Sequence, residues 1–328
     1  MSLPTVPPSI RRSWSLLRLL GGAALLAALL WHFGSGPFAE AWQVTTVPAV
    51  LTAAAITAGS TLTSAWRWHT IARAHDVPLT RGGAFTAYYR SQFLNATLPG
   101  GILGDAHRAL RHGRDAGNVP AGVRAAVWDR VSGQIVQLGL VLLALVGLAS
   151  PLRRFAPLAA GALLVVGVAG WVVLRRGGRA ADGLHTLGAP GVAARVVGAS
   201  SLSSLGHLAV FVLAVHVVGV EASWPVLVTA GLVVMVGSSI PLSIAGWGPR
   251  EGLTAWVFGV AGLGSATGLT VAVVYGVLAA VATLPGAVVL VAEAAARRRR
   301  ARVGASVGAR VDVLATDRAG QLEGAGRG

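Results

Sequence analysis

Apolar runs of bilayer length recur along this sequence, and they leave few architectures open. Seven of them lie at about 16–33, 47–66, 126–149, 157–174, 196–219, 224–242 and 268–292. A membrane helix needs about 20 mainly apolar residues. In hydrocarbon every backbone polar group must find its partner inside the protein, which selects helices for such runs. Two further apolar pieces, about 83–104 and 252–264, are short or interrupted. Composition agrees. The chain is 54% hydrophobic and 12% charged, where a soluble domain carries about 25% charged residues. The expected fold is an all-α polytopic membrane protein.

The formal charge of +15 comes from 27 basic residues, every one an Arg. A basic balance can signal nucleic acid. Here the arginines lie between apolar spans, so the positive-inside effect is the simpler cause, and no nucleic-acid partner is expected. Arg11, Arg12 and Arg18 lie before or at the start of the first run, and Arg67, Arg73 and Arg81 follow the second. Arg108, Arg111, Arg114 and Arg124 precede the third, and Arg175, Arg176, Arg179 and Arg195 lie between the fourth and fifth. These groups belong in the cytoplasm. Loops 34–46, 220–223 and 263–267 carry no Lys or Arg and belong outside, where Arg153 and Arg154 are exceptions.

On this map segment 83–104 starts and ends in the cytoplasm, so it is re-entrant or a hairpin at the membrane edge. Segment 252–264 crosses, which brings Arg297–Arg300 inside. About eight crossings result, with both termini cytoplasmic. The first apolar run exceeds the 7–15 residues of a signal-peptide core and reads as a retained helix. The expected organisation is a cytoplasmic segment 1–15, a transmembrane domain 16–292 and a disordered basic tail 293–328, with a bacterial plasma membrane as the location.

Catalytic signatures are weak. The sequence has no Cys, no HExxH and no P-loop, and its single GxSxG match, at 304–308, lies in the tail outside the apolar runs. No metal, cofactor or catalytic group is expected, and movement driven by this chain would draw on a gradient, a partner or simple equilibration.

The two interrupted segments share a pattern. "LNATLPGGILGDAHRALRHG" (94–113) holds Pro99, Gly100, Gly101, Gly104, Asp105 and Arg108. "SSIPLSIAGWGPREGLTAW" (238–256) holds Pro241, Gly246, Gly248, Pro249, Arg250, Glu251 and Gly252. Paired Gly/Pro-interrupted segments in two halves of a transporter point to a binding site and an internal inverted repeat. Locally the first segment also reads as an interfacial turn followed by a helix capped by Asp105, with Arg108 and Arg111 facing lipid phosphates.

Asp129 and Arg130 lie inside the start of the third run. Adjacent residues do not face each other on a helix, so each needs a partner, which a broken segment could supply. Arg130, Gln134 and Gln137 form a stripe at i, i+4, i+7. Arg90, between Tyr89 and Gln92, is a similar buried-charge candidate. Ser200, Ser203, Ser204 and His207, and Thr57, Ser60, Thr61 and Ser64, read as small-residue helix packing. Trp14, Trp42, Trp66, Trp68, Trp224 and Trp247 read as an aromatic belt.

Taken in order, "FLNATLPGGILGDAHRA" (93–109), "WDRVSGQIV" (128–136) and "SIPLSIAGWGPREGL" (239–253) resemble the transmembrane region of lysylphosphatidylglycerol synthases. The likeness covers most of residues 10–295. It implies a helical membrane fold with re-entrant helices and movement of a polar lipid between leaflets. The family's Asn-x-x-x-Pro-Gly-Gly-x-x-Gly-Asp pattern falls on Asn95, Pro99, Gly100, Gly101, Gly104 and Asp105. Its acidic-Arg pair falls on Asp129 and Arg130, and its Gly-x-Arg-Glu pattern on Gly248, Arg250 and Glu251, with Pro249 a minor departure. In the full-length synthases a soluble domain performs aminoacyl transfer. This sequence ends at Gly328 without one, so no such activity is expected.

The resulting expectation is a lipid flippase. Arg130, Arg250 and Arg108 would bind a phosphate. Asp105, Asp129 and Glu251 would hold those arginines or bind a cationic head group. Arg90, Asn95, Gly100, Gly101, Gly104 and Gln134 complete the expected site, with Pro99, Pro241, Gly246 and Gly248 as structural breaks. The expected partners are membrane lipids, anionic phospholipid foremost, and a second copy or an envelope enzyme. The alternatives are a carrier of a polyprenyl-linked sugar or small solute, and an accessory subunit of an envelope-modifying system.

Overall fold

The structure is a computed structural model that describes residues 27, 31–75, 77–98, 101–176, 189–238, 247–296 and 298–299. Every regular element among the described residues is a helix. Five are long and apolar enough to cross a membrane: Val47–Ala74, Val119–Gly147, Pro151–Val172, Pro190–Val218 and Ser265–Ala296. They coincide with five of the seven long runs. Run 224–242 forms a shorter apolar helix, Trp224–Ser238. Most of run 16–33, and with it the question of a signal peptide, lies outside the described residues, as does most of the tail. The chain is an all-helical, multi-pass membrane protein.

The elements are α1 (Gly36–Val44), α2 (Val47–Ala74), α3 (Arg81–Thr97), α4 (Leu103–Asp115) and α5 (Val119–Gly147). A short 3-10 turn, Pro151–Phe155, then leads into α6 (Ala156–Arg176), α7 (Pro190–Val218), α8 (Trp224–Ser238), α9 (Pro249–Val260) and α10 (Ser265–Ala282). Their starts are written locally. Proline occupies the first turn of α1, α2, α5, α7 and α9, where its missing N–H costs nothing. Thr80 and Asn118 accept from the Gly83 and Ala121 amides and cap α3 and α5.

Helices α3 and α4 have 17 and 13 residues. At about 1.5 Å per residue neither reaches across a core of about 30 Å. They fold back on each other. A Cβ on Gly104 would lie 2.0 Å from the Ser91 carbonyl oxygen, so only glycine permits this approach. The Asn95 side chain accepts from the Gly104 amide at 2.8 Å and ties the two arms together. Segment 81–115 is therefore a helical hairpin. Gly101 sits in its turn at φ 61°, while Pro99 and Gly100 lie outside the described residues.

Helices α8 and α9 make a second short pair, with 15 and 12 residues. Gly237, at the end of α8, lies against Leu253 and the Pro249 carbonyl at the start of α9, so the two helices meet at these ends. Twelve residues span about 18 Å, less than the separate crossing expected of 252–264 requires.

Helix α2 packs antiparallel to α7 along a seam of small residues. Ser60 sits against Gly206, the Ser64 and Ser203 hydroxyls are 2.7 Å apart, and Arg67 donates to Ser200 at 3.1 Å. Small side chains let backbones approach, which drives helix association where lipid is as apolar as leucine. Phe211 of α7 meets Phe258 of α9 and Tyr275 of α10 edge-on, closing the apolar core. The chain divides into two compact units at Gly286, and the described part of the second, from Ala287, is helical through Ala296.

Candidate functional site

Five charged side chains form one alternating row. Asp129 of α5 is buried, and its Oδ1 accepts from Arg67 Nε of α2 at 2.8 Å. Its Oδ2 accepts from Arg108 Nη2 of α4 at 2.9 Å and from the Tyr88 hydroxyl at 3.3 Å. The same Arg108 nitrogen lies 3.3 Å from Asp105 Oδ1, which also accepts from Ser91 at 2.8 Å. Asp105 Oδ2 accepts from Arg130 Nη1 at the far end. The order is Arg67, Asp129, Arg108, Asp105, Arg130. Asp129 and Arg130 make no bond to each other among those described, and the hairpin supplies partners for both.

The aromatic surroundings fix Arg108. Its guanidinium lies between the Trp68 and Tyr88 rings, 4.4 and 4.3 Å from their centres, and the residue is 2% exposed. Such stacking attracts a cation electrostatically while excluding water. Arg67 has a different support. Gly133, one turn beyond Asp129, leaves the space its guanidinium occupies.

These groups line one end of a cavity of about 360 Å³. Beyond them the wall is neutral and polar, with Gln92 of α3, Gln134 and Gln137 of α5, Ser64 of α2, and Ser200, Ser203, Ser204 and His207 of α7. Val210, Met235 and Tyr275 line it further on. Three guanidiniums against two carboxylates leave the lining with one surplus positive charge, among the described residues. Arg108 Nε and Nη1 and Gln137 Nε2 are buried donors without a hydrogen-bond partner among the described residues.

Arg250 and Glu251 form a separate pair. Arg250 Nε donates to Glu251 Oε1 at 2.8 Å, and Nη2 donates to the same oxygen. Glu251 Oε2 accepts from the Gly248 amide at 2.6 Å. Gly248 caps α9 at φ 121°, a conformation that disfavours any side chain. Arg250 fits because position 276 is glycine, and it lies 5.3 and 5.5 Å from the Trp247 and Tyr275 ring centres.

The expected residues therefore divide. Asn95, Gly101, Asp105, Arg108, Asp129, Arg130 and Gln134 line the cavity. Gly104 shapes the hairpin, and Arg90 is buried on α3 without lining the cavity. Arg250 was expected to share a pocket with Arg130. It is instead neutralised by Glu251 outside the cavity lining, because the α9 start turns the two neighbours onto each other. Pro99, Gly100, Pro241 and Gly246 lie outside the described residues. The reading of Arg108 as a lipid-facing charge gives way to a buried one.

Sequence reasoning missed Arg67, Trp68 and Tyr88 as parts of this site and favoured helix packing for the serines, which both pack α2 on α7 and line the cavity. A usable signal existed. Ser60, Ser64 and Arg67 recur at i, i+4, i+7 on the small-residue face of α2, which places Arg67 on the buried side.

Fold and site together define a multi-pass helical membrane protein with a polar, cation-lined cavity built on an interrupted helix pair. The chain belongs to the family described as the lysylphosphatidylglycerol synthase TM region, which it matches over residues 15–287. No curated protein and no solved structure matches it.

Proposed function

We propose that this protein moves a phospholipid between the leaflets of a bacterial plasma membrane, with both termini in the cytoplasm. Moving a head group through hydrocarbon means removing water from its phosphate, and a charged group at the bilayer centre costs several kcal/mol or more. Guanidinium groups replace that water with paired donors in a fixed geometry. The observation that carries the reading is the surplus positive charge of the cavity, held by Asp105 of the glycine-shaped hairpin and Asp129 of α5. A phosphodiester brings one negative charge and balances it.

Arg130 is the natural first contact. Its side chain is 37% exposed and its described bond is to Asp105 through one nitrogen. Arg67 and Arg108 hold the field behind it. On the arginine map the 81–115 hairpin enters from the cytoplasm and the α8–α9 pair from the opposite side, the arrangement of an inverted repeat.

The test is a reconstituted vesicle assay with fluorescent phospholipids quenched from outside. The purified protein should accelerate movement, and Arg130→Ala should slow it at least tenfold. Wild-type rates for Arg130→Ala on every lipid would sink the proposal. Inactivity toward every lipid, with co-purification of an envelope-modifying enzyme, would support an accessory role instead.

A further inference from the structure

The cavity has two chemistries arranged in sequence, and the second one narrows the substrate. This inference rests on the lipid-moving function proposed above. Three helices leave the charged row in the same direction. Helix α7 passes from Ser200, bonded to Arg67, to Ser203 and His207. Helix α2, running antiparallel, passes from Arg67 to Ser64, whose hydroxyl meets that of Ser203. Helix α5 passes from Arg130 to Gln134 and Gln137. Seven residues rise about 10 Å, so a hydroxyl- and amide-lined wall extends about that far beyond the arginines.

Among the described residues the wall contains no carboxylate. Both carboxylates that line the cavity are bonded to arginine, Asp129 to Arg67 and Arg108, and Asp105 to Arg108 and Arg130. A head-group ammonium would enter a chamber of net positive charge with no anion free to receive it. A hydroxylated head group meets hydroxyls and amides, which both donate and accept. The buried Gln137 Nε2 has no partner among the described residues, and a polyol oxygen would supply one.

We infer that the cavity selects a phosphodiester whose remaining head group is an uncharged polyol, a glycerol or a sugar, and disfavours amine-bearing head groups. Lysyl-modified lipid falls in the disfavoured class, since its ammonium groups add positive charge to a positive site.

Two measurements test this. In the vesicle assay the probes are phosphatidylglycerol, phosphatidic acid, phosphatidylethanolamine and lysylphosphatidylglycerol, each labelled on an acyl chain. Phosphatidylglycerol should move at least fivefold faster than either amine-bearing lipid. Equal rates for all four overturn the selectivity and leave lipid movement standing. Movement of none overturns the functional reading and this inference with it. Gln137→Glu places a carboxylate in the wall and should raise the rate of phosphatidylethanolamine relative to phosphatidylglycerol severalfold. An unchanged ratio in a folded Gln137→Glu protein counts against the wall as the selecting element. Independently, soluble glycerophosphoglycerol should raise the melting temperature of the detergent-purified protein, and glycerophosphoethanolamine at the same concentration should not. Equal shifts from both compounds overturn the inference.

Discussion

The Arg67 guanidinium passes over Gly133 so closely that a Cβ there would lie 2.8 Å from Nη1. Arg67 is held by Asp129, Ser200 and Tyr88 at once, so it cannot swing away without losing bonds. Gly133→Ala should push it off Asp129 while leaving α5 helical. Overpacking of this kind costs about 1–3 kcal/mol. A lowered melting temperature with unchanged far-UV circular dichroism, and a slower lipid rate, are expected. A rate equal to wild type would show that the Arg67 position is not critical.

Asp129→Asn removes the one charge shared by two buried arginines. Breaking a buried pair by removing one partner typically costs about 3–5 kcal/mol, because the remaining charge has nowhere to go. Two arginines are stranded here, so poor folding is the expected outcome, read as loss of a monodisperse peak in detergent. Asp129→Asn combined with Arg108→Met should recover much of that peak.

Arg130→Ala should separate function from stability. The side chain is partly exposed, and screened pairs contribute about 0–1 kcal/mol. A melting temperature close to wild type is expected together with the loss of lipid movement. A large drop in stability would place Arg130 in the structural half of the row.

Gly104→Val would set a branched side chain into the Ser91 carbonyl of the opposing arm. The hairpin should open, and Asp105 should leave Arg130. The sequence contains no cysteine, so a cross-link between cysteines placed at Ser91 and Asp105, whose side chains meet across the hairpin, reports on the opening without background. Cross-linking should fall sharply in the Gly104→Val chain.

The same background tests sidedness. Asp115→Cys should react with an impermeant maleimide only from the cytoplasmic side, and Glu221→Cys and Ala266→Cys only from outside. All three positions are exposed in the fold. Labelling of Asp115→Cys from outside would invert the topology.

The long spans were legible in the sequence because length and hydropathy are local properties. So was the need of Asp129 and Arg130 for partners on another element, since adjacent positions inside a helix point in different directions. The position of Arg67 was harder. Near a membrane edge a charge counted for sidedness and a charge buried between helices look alike by position, and only the face of α2 separates them. Trp68 was assigned to an interface belt for the same reason. The separation of Arg250 from the cavity depends on how α9 meets α10 at Gly276, a packing event with no trace in the local pattern.

The surplus charge of the cavity has an electrical consequence. If the cavity alternates between leaflets, it carries one positive charge when empty and none when a phosphodiester fills it. Only the empty step then moves charge across the membrane, and each elementary charge is worth about 2.3 kcal/mol per 100 mV. With the cytoplasm negative, voltage would draw the vacant protein toward its cytoplasm-facing form. The membrane potential would thereby reset the carrier for its next lipid, with no ion travelling alongside.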